Sequence, residues 1–359
     1  MKKILVFLVL IIMTFAFVAE AASLFAFAEG EEPVNCCGEN LTWTYNDSVL
    51  TISGEGKMTD YYGFSPEGLT PWWHLPVKNI VVEEGVTSIG VRAFEFFKDD
   101  SVTSISLPAS LTEIGYGAIG SHLGITTIAE GNEMFRIVDG CLIQSNGRLV
   151  QGCDTSIIPI DGSVKSIGAN AFAGCTGLTE VMLPDSVKTI CDRAFKGCKN
   201  LVGITLPEGV TYIGSEAFSG CYMLKDINLP ESLKYIMYEA FAECSSIESL
   251  TLSKNVDWFT GDTFSSGTTL KVYAYSKAHL SAENAAEHYS GFKYEIIGTL
   301  GDLDGDSEIT VSDALTALRV AAKLAEADEA AIIEGDFDFD RSITVGDALM
   351  ILRIAAKLA

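Results

Sequence analysis

Two acidic segments near the C-terminus place carboxylates at one repeated spacing. Asp-x-Asp-x-Asp occurs at 302–306 and again at 336–340, and a further Asp follows at 313 and at 347. In each segment the acids occupy positions 1, 3, 5 and 12 of a twelve-residue loop, the spacing with which calcium loops surround one Ca²⁺. A single motif of this kind is common on acidic surfaces. Two in matching register, each followed by Ile-Thr, favour a pair of calcium sites.

The chemistry of these loops is cation binding. Carboxylates held close together repel one another, and a bound cation removes that repulsion, so we expect loop folding to depend on Ca²⁺. The predicted ligands are Asp302, Asp304, Asp306, the Glu308 carbonyl and Asp313 in the first loop, and Asp336, Asp338, Asp340, the Ser342 carbonyl and Asp347 in the second. Position 6, where the turn favours Gly, holds Ser307 or Arg341, which predicts weakened affinity.

The elements around the loops are predicted from apolar spacing. After each loop, apolar residues recur at helical intervals, over 314–324 and 348–358. The segment 292–298 before the first loop reads as a strand, whereas an EF-hand needs a helix on both sides of its loop. The sequence therefore predicts a duplicated loop–helix unit with a linker at 325–334.

This unit, residues 299–359, resembles the type I dockerin of cellulosomes through Gly301-Asp302-x-Asp-x-Asp…Ile-Thr-x-x-Asp-Ala. The resemblance implies a small all-α module that docks with Ca²⁺ onto a cohesin module of a scaffoldin protein, through exposed helix faces. The implied contact residues are Val311, Ser312, Leu318 and Arg319 in copy one, and Val345, Gly346, Leu352 and Arg353 in copy two. A calcium-stabilised cap with no partner is the alternative.

A 23-residue period governs the chain from about Val77 to Leu270. Successive units begin at Leu178, Leu201 and Leu224 with an alternating apolar pattern that predicts a short strand, and the following Pro ends its pairing. Phe recurs at one repeat position, at Phe172, Phe195, Phe218, Phe241 and Phe264. One unit cannot bury such a face, but stacked units bury a continuous one. We therefore predict a solenoid in which each turn adds one strand to a parallel sheet.

The repeat closely resembles the leucine-rich repeats of BspA-like bacterial surface proteins, whose signature is LP-x-x-L-x-x-I-x-x-x-AF-x-x-C. The resemblance covers roughly 36–297 and implies an N-terminal cap at 29–76 and an array at 77–298. An inserted hairpin is predicted at 135–153 with a tight turn at Asn146-Gly147, and a closing cap at 270–298 with a short helix at 281–290. The resemblance implies binding of proteins or other surface ligands, with no catalytic site.

The polar residues of the sequence form no recognisable catalytic motif. The four His residues are far apart in sequence, and neither H-E-x-x-H nor G-x-S-x-G occurs. The Trp residues could stack on sugars, but three of the four lie in the N-terminal cap, which favours packing. The predicted outward positions of the strands are Glu180, Met182, Gly203, Thr205, Asp226, Asn228, Ser249 and Thr251. They are mixed and small, which favours a protein-facing surface over a sugar groove.

Export is predicted from residues 1–28, where a basic start and an apolar run precede Ala-x-Ala sites ending at Ala21 and Ala28. A membrane anchor is the alternative. The net charge of −24 argues against nucleic-acid or anionic-membrane binding. Four of the nine cysteines recur every 23 residues, which favours a column of buried thiols over disulfides. Cys36 and Cys37 are predicted to be the exposed thiols.

Together these features predict a secreted bacterial protein in which a leucine-rich-repeat solenoid precedes a dockerin. We expect a non-catalytic binding or adhesion protein with two Ca²⁺ sites, a cohesin partner and a further protein or surface ligand on the repeats. The alternatives are a cellulosomal polysaccharide-active enzyme with a site on the array, and a free adhesin with a calcium-stabilised cap.

Overall fold

A computed structural model describes residues 35–62, 69–95, 97, 102–123, 125–154, 156–274, 276–289, 292–304, 308–327, 334–337 and 342–357. The predicted signal peptide, 1–28, lies outside the described residues. In the described part of the chain, no helix is long and apolar enough to cross a bilayer.

Most of the described chain consists of short strands joined by tight turns. In chain order the strands are β1 (Leu41–Asn46), β2 (Val49–Gly54), β3 (Gly56–Lys57), β4 (Asn79–Val82), β5 (Val86–Ile89), β6 (Ser104–Leu107), β7 (Glu113–Ile114), β8 (Ile125–Ile128), β9 (Phe135–Val138), β10 (Cys141–Gln144), β11 (Arg148–Gln151), β12 (Ser166–Ile167), β13 (Glu180–Met182), β14 (Thr189–Ile190), β15 (Gly203–Thr205), β16 (Tyr212–Ile213), β17 (Asp226–Asn228), β18 (Tyr235–Ile236), β19 (Ser249–Thr251), β20 (Thr269–Ala274) and β21 (Lys293–Thr299). The helices are α1 (Lys277–His288), α2 (Val311–Ala321) and α3 (Val345–Ala355), and a 3₁₀ turn spans Ser121–Leu123.

The repeats stack as a parallel solenoid, as predicted, but a full repeat contributes two strands. The first strands form the sheets β1-β2-β4-β6-β8, β13-β15-β17 and β19-β20-β21. The second strands form β3-β5-β7 and β18-β16-β14-β12-β11-β10-β9. The prediction of one strand per turn was incomplete, because a two-residue strand such as β16 is too short to show an alternating pattern.

Identical repeat positions lie directly above one another in the stack. Ile190 pairs in register with Ile213, and Ile213 with Ile236. Rings of the predicted Phe ladder stack at centroid distances of 5.2, 5.4, 5.2 and 5.9 Å. All five Phe side chains are buried, so the core is one continuous column that no single repeat could form.

The repeated cysteines are free thiols inside this core, as predicted. The Sγ atoms of Cys198, Cys221 and Cys244 donate to backbone carbonyls one repeat back, at 3.1 to 3.2 Å. Burial raises the pKa of Cys244 to about 12. The prediction for Cys37 was wrong: it is 2% exposed, because its backbone pairs with Leu41 and Thr59 inside the N-terminal cap.

The predicted insertion is a three-stranded antiparallel unit. β10 pairs with β9 and with β11, and the turn between β10 and β11 contains Gly147 at φ +90°. β11 then pairs in parallel with β12, so the insertion extends the second-strand sheet. The hairpin and its Asn146-Gly147 turn were correctly predicted, and β9 is an additional strand.

Both ends of the solenoid are capped. At the N-terminal end Trp72 is fully buried, and its Nε1 donates to the Ala93 carbonyl at 3.0 Å. At the C-terminal end α1 begins after Ser276, whose side chain accepts from His279 N, and β21 pairs with β20. The predicted packing role therefore holds for Trp72. Trp73 and Trp258 are 42% and 51% exposed, so packing accounts for only part of their surface.

Candidate functional site

Three predicted ligands of the first calcium loop converge. Asp302, Asp304 and Asp313 each offer one carboxylate oxygen, and these oxygens lie within 4.8 Å of one another. Asp302 and Asp313 are buried, whereas Asp304 and Glu308 are exposed. Asp306 lies outside the described residues.

Asp313 is held in place by the start of the helix that it belongs to. Its Oδ1 accepts from Leu303 N at 2.8 Å, and its Oδ2 accepts from Thr310 N at 2.8 Å and Thr310 Oγ1 at 3.0 Å. Thr310 is the N-cap of α2, and its hydroxyl accepts from Ser312 N. This capping box satisfies amides at the start of α2 and aims the carboxylate back towards the loop.

The second loop repeats this arrangement. Asp347 Oδ1 accepts from Phe337 N at 2.7 Å, and its Oδ2 accepts from Thr344 N and Oγ1 at 2.8 and 2.7 Å. Asp336 and Asp347 are both 2% exposed, and Ser342 is exposed. Asp338 and Asp340 lie outside the described residues. Sequence reasoning missed the helix-capping role of the closing Asp, although Thr-x-x-Asp before an apolar run is its usual signal.

The donor set fits a hard divalent cation. Calcium prefers carboxylate and carbonyl oxygens, and each loop keeps two of its acids almost entirely out of solvent. Burying a carboxylate is unfavourable without a compensating charge. The convergence of Asp302, Asp304 and Asp313 therefore suits Ca²⁺.

A lysine from the repeat array reaches the second loop. Lys254 is 5% exposed, and its Nζ donates to the Asp336 carbonyl at 3.1 Å. Burial lowers the pKa of Lys254, and the nearby Asp336, Glu231 and Asp347 partly oppose that effect. Sequence reasoning missed Lys254, because an isolated Lys 82 positions before Asp336 carries no recognisable signal.

The predicted partner-contact residues lie on the outside of α2 and α3. All eight are exposed: Val311, Ser312, Leu318, Arg319, Val345, Gly346, Leu352 and Arg353. The opposite sides of the helices pack together through Ala314, Ala317, Ala348 and Ile351. Each helix therefore presents a matching apolar and basic surface to solvent.

The outward positions of the first-strand sheet are polar or small except for Met182, and one of the predicted positions is not exposed. Glu180, Met182, Thr205, Asp226, Asn228, Ser249 and Thr251 are exposed. Gly203 is buried, because the Glu180 carboxylate lies over it; a Cβ on Gly203 would come within 2.4 Å of Glu180 Oε2. Within the described residues, Asp302, Asp304 and Asp313 form the one group of three His, Cys, Asp or Glu side chains close enough to share a metal ion.

Comparisons with known proteins identify the repeats. Six copies of the family model described as BspA type leucine rich repeat region match residues 73–148 and 146–271, together more than half of the chain. No curated protein matches the chain.

The chain also matches solved proteins from several bacteria. A leucine rich cell surface protein from Faecalibacterium prausnitzii is 19% identical, with 70% of this chain and 97% of that chain covered at a TM-score of 0.44. The pneumococcal vaccine antigen PcpA is 15% identical, with 73% and 98% covered at 0.46. A leucine-rich repeat protein from Eubacterium ventriosum is 20% identical, with 67% and 90% covered at 0.39.

Proposed function

The chain belongs to the BspA-type leucine-rich-repeat family, and from this premise we propose that it is an exported, non-catalytic binding protein. Its repeat array holds a protein or surface ligand outside the cell. Its C-terminal loops bind two Ca²⁺ ions, and the helices that follow dock onto a cohesin module of a scaffoldin. Docking thereby attaches the repeat array to a larger extracellular complex.

The duplicated loop–helix geometry carries the docking proposal. The closing Asp of each loop makes the same three hydrogen bonds, and each helix exposes the same apolar positions, Val311 and Leu318 or Val345 and Leu352. Bound Ca²⁺ supplies the positive charge that lets the loop acids lie together. Asp313 and Asp347 tie that loop geometry to the first turn of each helix, so that loop and docking surface form one unit.

The test is capture by the chain without its signal peptide, residues 29–359, from the extracellular proteins of the source organism. A cohesin-bearing protein retained with Ca²⁺ and released by EDTA supports the proposal. Leu318→Asp combined with Leu352→Asp should abolish retention, because both changes place a charge in the proposed apolar contact. Calorimetric Ca²⁺ binding should be unchanged in that variant.

Leu280→Asp is the matched control, since Leu280 is 63% exposed on α1, away from the proposed surface. It should leave retention intact. Capture of a cohesin that is insensitive to EDTA and to both leucine changes would contradict the proposal.

A second function is favoured by the contact between Lys254 and Asp336. Here the protein is a free adhesin, and the calcium module caps the end of the solenoid. This alternative predicts calcium-dependent thermal stability with no cohesin among the captured proteins.

A further inference from the structure

An aromatic row runs along the second-strand sheet at the C-terminal end of the solenoid. It consists of Tyr212, Tyr235 and Trp258, which occupy one repeat position 23 residues apart. Tyr212 pairs in register with Tyr235, and Tyr235 forms a parallel bridge with Trp258. Neighbouring strands of a sheet are about 4.8 Å apart, so the three residues succeed one another along the solenoid axis at that interval.

The row faces solvent. Tyr235 and Trp258 are 45% and 51% exposed, and Tyr212 is half-buried, whereas the next residues Ile213 and Ile236 are fully buried. Large apolar side chains that stay exposed side by side usually mark a binding surface.

Folding of the repeat does not require aromatic residues at this position. The two preceding turns carry Ser166 and Thr189 there, in the same sheet and register. Buried Phe rings stack on one another from repeat to repeat, but no such stacking is found within the aromatic row among the described residues. The ring faces are therefore not occupied by one another.

The surroundings of the row determine which partner suits it. Each aromatic residue directly follows a polar one in the chain: the neutral Thr211, the basic Lys234 or the acidic Asp257. The row is therefore accompanied by hydrogen-bonding groups of mixed charge. Asp257 also pairs with Lys277 of α1. Mixed flanking charge does not select an anionic or a cationic partner. The side chains of the row stand on the face of the sheet, whereas a peptide that adds a strand pairs with the backbone at a sheet edge, so the row itself does not select such a peptide.

A pyranose ring matches this combination, because it has an apolar face of C–H groups and a rim of hydroxyls. Its face can stack on an aromatic ring while its hydroxyls bond to the flanking side chains. In an extended β-linked chain, the distance between successive sugars is comparable to the rise from one turn of the solenoid to the next.

We propose that the aromatic row is a binding platform for a neutral β-linked glycan that lies along the solenoid axis. The inference rests on the binding role proposed for the repeat array and names a ligand class for it. It does not depend on calcium or on a cohesin.

The test is native gel electrophoresis of residues 29–359 in gels containing mixed-linkage β-glucan, xylan or glucomannan, with EDTA present. We expect retardation by at least one of the three polymers. Tyr235→Ala combined with Trp258→Ala should weaken the apparent affinity about tenfold or more, through loss of two stacking contacts. Trp73→Ala, which removes another exposed Trp outside the row, should have no effect.

Thermal unfolding of each variant controls for misfolding, and the exposed positions should leave the unfolding temperature unchanged. Free migration in all three gels would overturn the proposal and leave the row as a protein-facing surface. Equal retardation of wild type and the double variant would overturn it as well. If the chain binds none of the three glycans but still captures a cohesin, this inference is refuted and the docking proposal is not.

Discussion

At the scale of the residue, Asp313 and Asp347 have two roles with opposite effects on stability when no cation is bound. As helix-capping acceptors they stabilise α2 and α3 whether or not a cation is present. As loop acids they crowd other carboxylates, since Asp313 lies within 4.8 Å of Asp302 and Asp304. An amide at position 313 removes the charge and keeps one acceptor oxygen, which can serve the Thr310 cap while the hydrogen bond from Leu303 N is lost.

We therefore expect Asp313→Asn to lower Ca²⁺ affinity about tenfold or more, because one charged ligand is lost. In EDTA the same variant should lose less stability than Asp313→Ala, because it keeps one capping acceptor and relieves the repulsion within the loop. Asp313→Ala should lose both the affinity and about 1 kcal/mol of stability, the usual cost of losing a capping interaction.

Calorimetric Ca²⁺ titration and thermal unfolding with and without EDTA measure these effects. Asp185→Asn, an exposed acid on the array, is the control. An unchanged Ca²⁺ affinity in Asp313→Asn would show that the carboxylate acts as a cap and not as a calcium ligand.

At the scale of the element, residues that flank three of the buried Ala-Phe pairs form a chain of ion pairs. Arg92 contacts Glu95, Arg193 bridges Glu95 and Glu216, and Lys196 contacts Glu216. Arg193 lies 98 residues from Glu95 in the sequence, so this ion pair joins distant parts of the chain. The described strands before the insertion share no sheet with those after it, so these ion pairs join repeats that strand pairing does not connect.

Burial alone would raise the pKa of Glu216, but hydrogen bonds from Lys196 and Arg193 outweigh it and lower the pKa. A carboxyl whose pKa is lowered in the folded state adds stability above its ordinary pKa and loses it as the pH falls through the lowered value. Glu216→Gln should therefore cost about 1 kcal/mol at neutral pH, because these groups are partly exposed. The cost should disappear at acidic pH.

Urea denaturation at neutral and at acidic pH measures this difference, with Glu208→Gln, an exposed acid beside a Pro turn, as the control. An equal loss for Glu216→Gln at both pH values would show that packing, and not charge, explains the effect.

The elements also show what the sequence could and could not predict. The first strand of each turn was predictable because Leu-x-x-Ile-x-Leu alternates over six residues, and the Phe and Cys columns followed from the 23-residue period. A second strand of two residues, such as Tyr212–Ile213, carries no alternation. The aromatic row on that strand was missed for the same reason, although its 23-residue spacing was visible in the sequence.

At the scale of the whole molecule, the spacing of the acids predicted the loops but not their attachment. A contact such as Lys254 to Asp336 depends on how the last turns of the solenoid meet the second loop. No local pattern encodes that geometry, because Lys254 belongs to the 23-residue repeats and Asp336 belongs to the duplicated loop–helix unit. The contact places a buried ammonium close to two of the acids that we propose as calcium ligands.

This proximity makes the ammonium and Ca²⁺ two sources of positive charge for the same acids. Lys254→Met keeps the length of the side chain and removes its charge. In EDTA we expect the free energy of unfolding of the variant to fall by about 2 kcal/mol, since the buried polar partners of the ammonium lose their hydrogen-bond donor. With saturating Ca²⁺ the loss should shrink, because the cation neutralises Asp336 and Asp347. By linkage, the variant must then bind Ca²⁺ more tightly than wild type.

Thermal unfolding in both conditions and calorimetric Ca²⁺ titration test the two halves of this prediction independently. Lys225→Met, at an exposed lysine of the array, should change neither quantity. A destabilisation of the same size with and without Ca²⁺, at unchanged affinity, would show that Lys254 serves as a packing contact at the joint. A smaller loss with Ca²⁺ at raised affinity would show instead that the solenoid sets the calcium affinity of the loop attached to it.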